Sequence, residues 1–409
     1  MGSSIAEAEL CLRELDGDTV KAAAHSPSDL LRVNVLSSAA AIAEMETAWR
    51  ALEERVSSTR IFQTHGWCLQ WARNVEALGI SCWQIRVVTV LSGGRLVLVW
   101  PLAIARGKLL KTARWLGEPL TQYGDVLAED TPNTQAWIEQ AWQAICSWSD
   151  VDLVWLRKVR ADACVAPFLD SRRNIVQGEP EVALAIDLKP FDDWAALDET
   201  YKAKTRKNRK RFRRRLTELG LGPLEFHMPG PKAHELLEAA ISFKESWLEK
   251  RGAMSNPFRD PLFRNTLCAM VRGDGPDVGC QVFALRVGDT PVAIEIGFNW
   301  HGRYVAHVAA LNPDYDKYGP GNVLTEDIVA WLIERDDAYF DLMSPGDDYK
   351  RSWTNTETPI SSFAQPLSLI GSFYVRQHLA RLRPGLKHLH ERLPIGIRRL
   401  VARLRGTLG

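Results

Sequence analysis

No stretch of this 409-residue sequence approaches the roughly 20 apolar residues needed to cross a bilayer. Residues 1–30 hold no apolar run of secretory-signal length, and acidic residues interrupt them. The seven cysteines are scattered, with no CxxC and no histidines at ligand spacing. That argues against a disulfide framework or a closed zinc site, and for reduced, buried thiols in a cytoplasmic protein. Net charge is almost absent as well: 51 Lys and Arg against 50 Asp and Glu leave +1.

What is present is ordinary globular composition, 46% hydrophobic and 25% charged, over a length that suits two domains. Fifteen tryptophans, eleven of them before residue 195, imply large cores, or else an aromatic groove for sugars. The charge is unevenly placed. Residues 202–215 carry ten Lys or Arg, and residues 374–409 carry nine against Glu391 alone. Two concentrated basic elements are thus attached to an acidic body.

Apolar spacing predicts helices over 36–56 and 64–75, with Pro101 marking an edge or bend in the second strand of a hairpin over 82–105. Strands are predicted at 113–116, from 122, at 151–157 and at 182–188, with a helix over 137–148. Residues 192–216 read as one linking helix that carries the basic run and stops at Gly220. The same order then repeats: a strand at 224–227, helices over 234–251 and 262–271, a hairpin over 280–300 and a strand at 303–311. The fold expected is therefore a mixed α/β protein built from two copies of one unit. The division expected is a flexible leader over 1–32, copies over 33–190 and 221–371, a basic linking helix over 191–220, and a basic helical tail over 372–409.

The most informative stretch is 303–353. A strand ending at Leu311 is followed by a polar loop, then by Gly319-Pro320-Gly321 opening a helix with Val323, Leu324, Ile328, Trp331 and Leu332 on one face. A second strand, 339–343, ends at Ser344-Pro345-Gly346. Strand, glycine loop and helix start make an anion site from backbone, or simply a tight turn.

Three motifs in this order resemble those of GNAT acyltransferases of the CelD-like branch associated with cellulose biosynthesis, relatives of the FemAB peptidyltransferases. They are the segment Thr205–Arg211 leading to Leu216, the run Tyr318–Leu324, and Phe340-Asp341-Leu342 followed by Gly346, Tyr349, Lys350 and Trp353. The resemblance implies tandem GNAT-like domains and transfer of an acyl group, acetyl from acetyl-CoA, to an amine or hydroxyl. It also implies a small-molecule or glycan-linked acceptor in exopolysaccharide or envelope glycan synthesis, and no metal. It places the donor phosphates at Lys317, Tyr318, Gly319, Gly321 and Asn322. Lys350 matches a FemAB lysine that stabilises developing negative charge, and Tyr349 lies beside it. One position departs: Asp316 stands where the GNAT loop carries Gln or Arg.

Acyl transfer needs a proton acceptor and an oxyanion stabiliser. Glu295, flanked by Ala293 and Gly297 on its face of strand 291–300, is a candidate base or a solvent-facing glutamate. His307 on the next strand is a candidate base or a structural ring, and Asp341 is placed to orient neighbours. Arg206, Arg209, Lys210 and Arg213 form a candidate clamp for substrate phosphate. Their mutual repulsion calls for compensation by phosphate, acidic protein surface or solvent. Leu400, Val401 and Leu404 among arginines give the tail a basic amphipathic end, suited to an anionic membrane surface or to packing on the acidic body. Two alternatives stay open: an aminoacyl-tRNA donor, with tRNA on 202–215, and a non-catalytic scaffold for a polysaccharide synthase.

Overall fold

The computed structural model describes residues 31–172, 176–177, 181–251, 257–346 and 348–377. Most of the expected leader (1–30) and of the basic tail (378–409) lie outside the described residues.

The first copy runs β1 (Leu31–Leu36), α1 (Ala39–Glu44), α2 (Glu46–Arg55), α3 (His65–Ala77), β2 (Trp83–Ile85), β3 (Val87–Ser92), β4 (Arg95–Trp100), β5 (Leu102–Arg106), β6 (Lys111–Trp115), β7 (Leu127–Ala128), α4 (Thr134–Cys146), β8 (Leu153–Arg160), α5 (Ala166–Asp170), β9 (Val176–Gln177) and β10 (Glu181–Asp187). Helices α6 (Trp194–Thr200) and α7 (Ala203–Thr217) link it to the second. That copy runs β11 (Glu225–His227), α8 (Pro231–Arg251), α9 (Pro261–Arg272), β12 (Cys280–Val287), β13 (Thr290–Trp300), β14 (Arg303–Leu311), α10 (Pro320–Ile333), β15 (Tyr339–Met343), α11 (Asp348–Arg351), β16 (Thr356–Pro366) and α12 (Leu369–Tyr374).

The two copies share one sheet, in the order β11-β12-β13-β14-β15-β10-β16-β8-β6-β5-β2, with β9 paired to β16. In each copy a parallel pair holds over only two or three residues before its strands part. Thr112 and Ala113 face Leu153 and Val154 across β6/β8. Arg303, Tyr304 and Val305 face Tyr339, Phe340 and Asp341 across β14/β15. The copies also exchange strands. β10 of the first lies between β15 and β16 of the second, and β16 in turn lies between β10 and β8. Neither unit closes its sheet alone.

Pro101 has no N–H for the ladder and divides the first hairpin. Beyond it β3 and β4 leave the large sheet to join β1 and β7 in a four-stranded one. The tryptophans serve the cores: Trp49, Trp67, Trp71, Trp100, Trp115 and Trp353 are all fully buried. Helix ends follow local chemistry, as in α9, where Asp260 accepts from the Leu262 amide and Gly273 closes the helix in the left-handed region.

Four expectations need correction. Residues 31–36 are not leader or helix start; their alternating Leu31, Val33 and Val35 pair with β3 as an edge strand. The linking helix is two helices, because Tyr201 is extended (φ −82°, ψ 151°) and its hydroxyl donates to the Trp353 carbonyl at 2.8 Å. No strand begins at Gln122, because the Gly124 backbone is pressed against the Trp115 indole, where an added Cβ would lie 1.9 Å from ring atoms. The polar loop after β14 is a 3-10 turn over Pro313–Tyr318, started by the Asn312 side chain accepting from the Asp314 amide.

Candidate functional site

The candidate site lies where the β14/β15 pairing ends. The chain leaves β14 through the 3-10 turn, reverses at Gly319 (φ +65°) and enters α10 with Pro320 in its first turn. Gly319 also meets α7, since an added Cβ would lie 2.8 Å from the Phe212 ring. Gly319→Ala is therefore expected to cost about 1–3 kcal/mol, from the left-handed backbone and the clash together. Urea unfolding checks this, and an unchanged midpoint would contradict it.

Around this turn the basic helix supplies charge. Arg215 donates to the Lys317 carbonyl at 3.1 Å and lies over the Tyr318 ring, as does the Lys317 ammonium. Arg211 lies over Phe212. Gly321, Asn322 and Val323 are the first amide-bearing residues of α10, and the Asn322 amide already reaches the Gly319 carbonyl at 3.1 Å. Exposed Asp314 and Asp316 flank the turn.

The proposed phosphate clamp is divided by the fold. Arg209 is buried, ion-paired with Asp198, and enclosed by the rings of Tyr201 at 4.3 Å, Trp353 at 4.5 Å and Trp194 at 5.2 Å. Arg213 is taken up by Glu326 and Asp327 of α10. Acidic protein surface thus compensates these two. Lys210 is exposed, and Arg206 is half-buried with its Nε enclosed.

Glu295 sits on β13 opposite Ala309 of β14. It does not face solvent: it is 5% exposed, and its Oε1 finds no hydrogen-bond partner among the described residues. Burial pushes its carboxyl up to about 8, while the Lys244 and Lys350 ammonium groups pull the other way. Its small neighbours do not clear a path for substrate, as Gly297 instead makes room for the Tyr304 ring.

Lys350 and Tyr349 lie on α11, directly after β15. Lys350 Nζ donates to the carbonyls of Met343 at 3.3 Å and Pro345 at 3.2 Å, across a turn made by Met343 at φ +61°. The Tyr349 hydroxyl meets Thr325 Oγ1 at 2.7 Å and donates to the Gly321 carbonyl at 3.3 Å, tying α11 to the start of α10. The fold thus brings Tyr349 to the glycine turn, while Glu295 is buried within reach of the Lys350 charge.

His307 is the extra residue of a bulge in β14, between Ala306 facing Gly297 and Val308 facing Ile296. Rings of Phe62, Trp67, Phe263 and Phe298 surround it, and both ring nitrogens are enclosed without partners among the described residues. Burial lowers its pKa to about 4, so it is neutral at pH 7 and a weak base. Asp341 faces the first copy. It accepts from Tyr123 Oη at 2.9 Å and Arg160 Nη1 at 3.1 Å, and from the Met343 amide at 2.7 Å.

Sequence reasoning missed Lys158. It lies at a bulge of β8 with φ +54°, a strained conformation for a lysine. Its ammonium donates to Gln122 Oε1 at 2.6 Å. Burial lowers its pKa, and its charge is felt at His307. The only local signal was weak, since Lys158 follows Arg157 just beyond the apolar run Leu153–Leu156. Among the described residues, His234, Glu238 and Cys268 bring ligand-type atoms within 4.8 Å of one another. Arg272 contacts His234 Nε2 at 2.8 Å and Arg264 donates to Glu238 at 2.8 Å, a poor setting for a cation.

Residues 203–351 match the family described as "Acetyltransferase (GNAT) domain". No curated protein matches the chain. Among solved structures, FemX aligns with a TM-score of 0.55 at 8% identity, over 80% of this chain and 97% of that one. A conserved protein of unknown function from Bacteroides thetaiotaomicron VPI-5482 aligns with a TM-score of 0.50 at 10% identity, over 81% of this chain and 100% of that one. At such identities the likeness is one of fold, and it extends over both copies.

Proposed function

We propose that this protein is an acyltransferase whose reaction centre is the opening between β14 and β15. The acyl donor, an acyl-CoA and by resemblance acetyl-CoA, lies between the parted strands. Its phosphates reach the first turn of α10 beside Lys317, Arg211 and Arg215. An amine or hydroxyl of the acceptor attacks the thioester carbonyl, and Glu295 takes the proton lost by the nucleophile. Lys350 steadies the oxyanion until the C–S bond breaks, and the Tyr349 hydroxyl is placed to protonate the departing thiolate.

The observation that carries this reading is the carboxyl of Glu295, buried on β13 beside β14 and raised to about 8 by that burial against the pull of the Lys244 and Lys350 charges. A base poised near neutrality suits proton abstraction, whereas His307 at about 4 does not. By resemblance, the acceptor belongs to exopolysaccharide or envelope glycan synthesis.

A second reading has an observation of its own. Lys202, just before α7, and Lys204, Lys207 and Lys210 on it remain exposed, and Asp314 and Asp316 stand beside the donor turn. These features favour an aminoacyl-tRNA donor. Incubation with radiolabelled acetyl-CoA, or with radiolabelled aminoacyl-tRNA, and a panel of amine and hydroxyl acceptors tests both. Label transferred from acetyl-CoA supports the first reading. Label transferred only from tRNA replaces it with the second, and none from either leaves the scaffold alternative.

A further inference from the structure

The last described helix, α12, is held in place with unusual care for a surface element. Ser368 caps it, accepting from the Gly371 amide at 3.1 Å while its hydroxyl donates to Asp152 Oδ1 at 2.7 Å. An added Cβ on Gly371 would lie 1.9 Å from the Asp152 carbonyl oxygen, so the helix touches the backbone just ahead of β8. Val375 is buried with Leu153, Trp155 and Ala364, and Tyr374 packs against them.

The other face of the same helix is apolar and open. Leu369 is 90% exposed, Ile370 59% and Phe373 68%. Their spacing puts all three on one side. Leu109, 86% exposed at the tip of the β5–β6 turn, stands across a hollow of about 360 Å³ whose lining includes both Leu109 and Tyr374. The charged residues lining that hollow are Arg106, Lys108 and Arg114, all cationic.

We infer that this face docks on an anionic lipid bilayer, with Leu109, Leu369, Ile370 and Phe373 entering the interface and the cations of the hollow at headgroup level. Rigidly held apolar side chains protruding beside cations suit insertion into such a surface. Charge decides between occupants. The chain beyond α12 carries a large excess of Lys and Arg through residue 409, so it is repelled by a cationic hollow but attracted to the same anionic surface. A second copy would set like charges against each other.

The test sediments the full chain with phosphatidylcholine vesicles, with and without phosphatidylglycerol. Pelleting is expected only with phosphatidylglycerol. The double variant Leu369→Glu/Phe373→Glu should lower the bound fraction at least about tenfold, and Leu109→Glu should lower it as well. All these positions are exposed, so unfolding midpoints should not move. The inference is overturned if the wild-type chain stays in solution. It is also overturned if the double variant pellets undiminished, since the basic tail alone then binds, or if gel filtration shows a dimer that the double variant dissolves. None of these residues belongs to the acyl-transfer site, so the two readings stand or fall separately.

Discussion

Glu295→Gln is expected to abolish most acyl transfer while making the protein more stable. Removing a general base from a reaction centre costs about 10²–10⁴ in rate. The stability gain follows from the same burial. The folded state holds the Glu295 proton up to about pH 8, whereas the unfolded chain releases it near the ordinary glutamate value of 4.5. Between those values the folded state binds the extra proton, so stability falls as pH rises through that window and is level on either side. A shift of that size corresponds to a cost on the order of 3–5 kcal/mol at pH 8. Glutamine carries no proton to lose, so the variant's advantage should be near zero at pH 4 and grow steadily to pH 8. Urea unfolding across pH reads the advantage, and acceptor-dependent release of coenzyme A reads the rate. A variant that is inactive but gains nothing at pH 8 would show that Glu295 is not held neutral. One that gains stability and keeps full activity would remove it from the chemistry.

The second large effect is expected at Arg160→Met. Arg160 and Asp341 are both buried, 181 residues apart, and join β8 of the first copy to β15 of the second at 3.1 Å. Removing the guanidinium leaves the Asp341 carboxylate buried with, among the described residues, the Tyr123 hydroxyl and the Met343 amide as its donors, a loss of about 3–5 kcal/mol. The double variant Arg160→Met/Asp341→Leu removes both charges and should recover part of it. Because β10 and β16 are exchanged between the copies, the loss should appear in a single cooperative transition. If the first copy melted separately in Arg160→Met, the exchanged sheet would not be the unit of stability.

These two residues mark what the sequence could and could not reveal. Glu295 stood out because a carboxylate interrupts an apolar strand, and that local pattern survives folding. The order of elements in the second copy was legible for the same reason: long alternating runs, glycine turns and a helical stripe after Gly319 all act over a few residues. Arg160, Lys158 and the exchange of β10 and β16 depend on contacts across most of the chain, which no local period encodes. The fate of the basic run lay between these cases. Its need for compensation followed from like charges on one helix. That Arg209 and Arg213 meet Asp198, Glu326 and Asp327 depended on where α10 packs. Tyr201 was misread because its spacing fits a helix, while its hydroxyl is committed to the Trp353 carbonyl.

The measurement that reaches the central claim most directly is a thermal melt of the full chain with acetyl-CoA, with coenzyme A alone, and with ATP as an anionic control. A ligand at 100 times its dissociation constant stabilises by about 2.7 kcal/mol, a shift of a few degrees for domains of this size. The account predicts that shift with both coenzyme A species and not with ATP. It also predicts that the shift is lost in Lys317→Glu/Arg215→Glu, whose side chains flank the turn before α10. A folded protein that melts unchanged in all three ligands would contradict it.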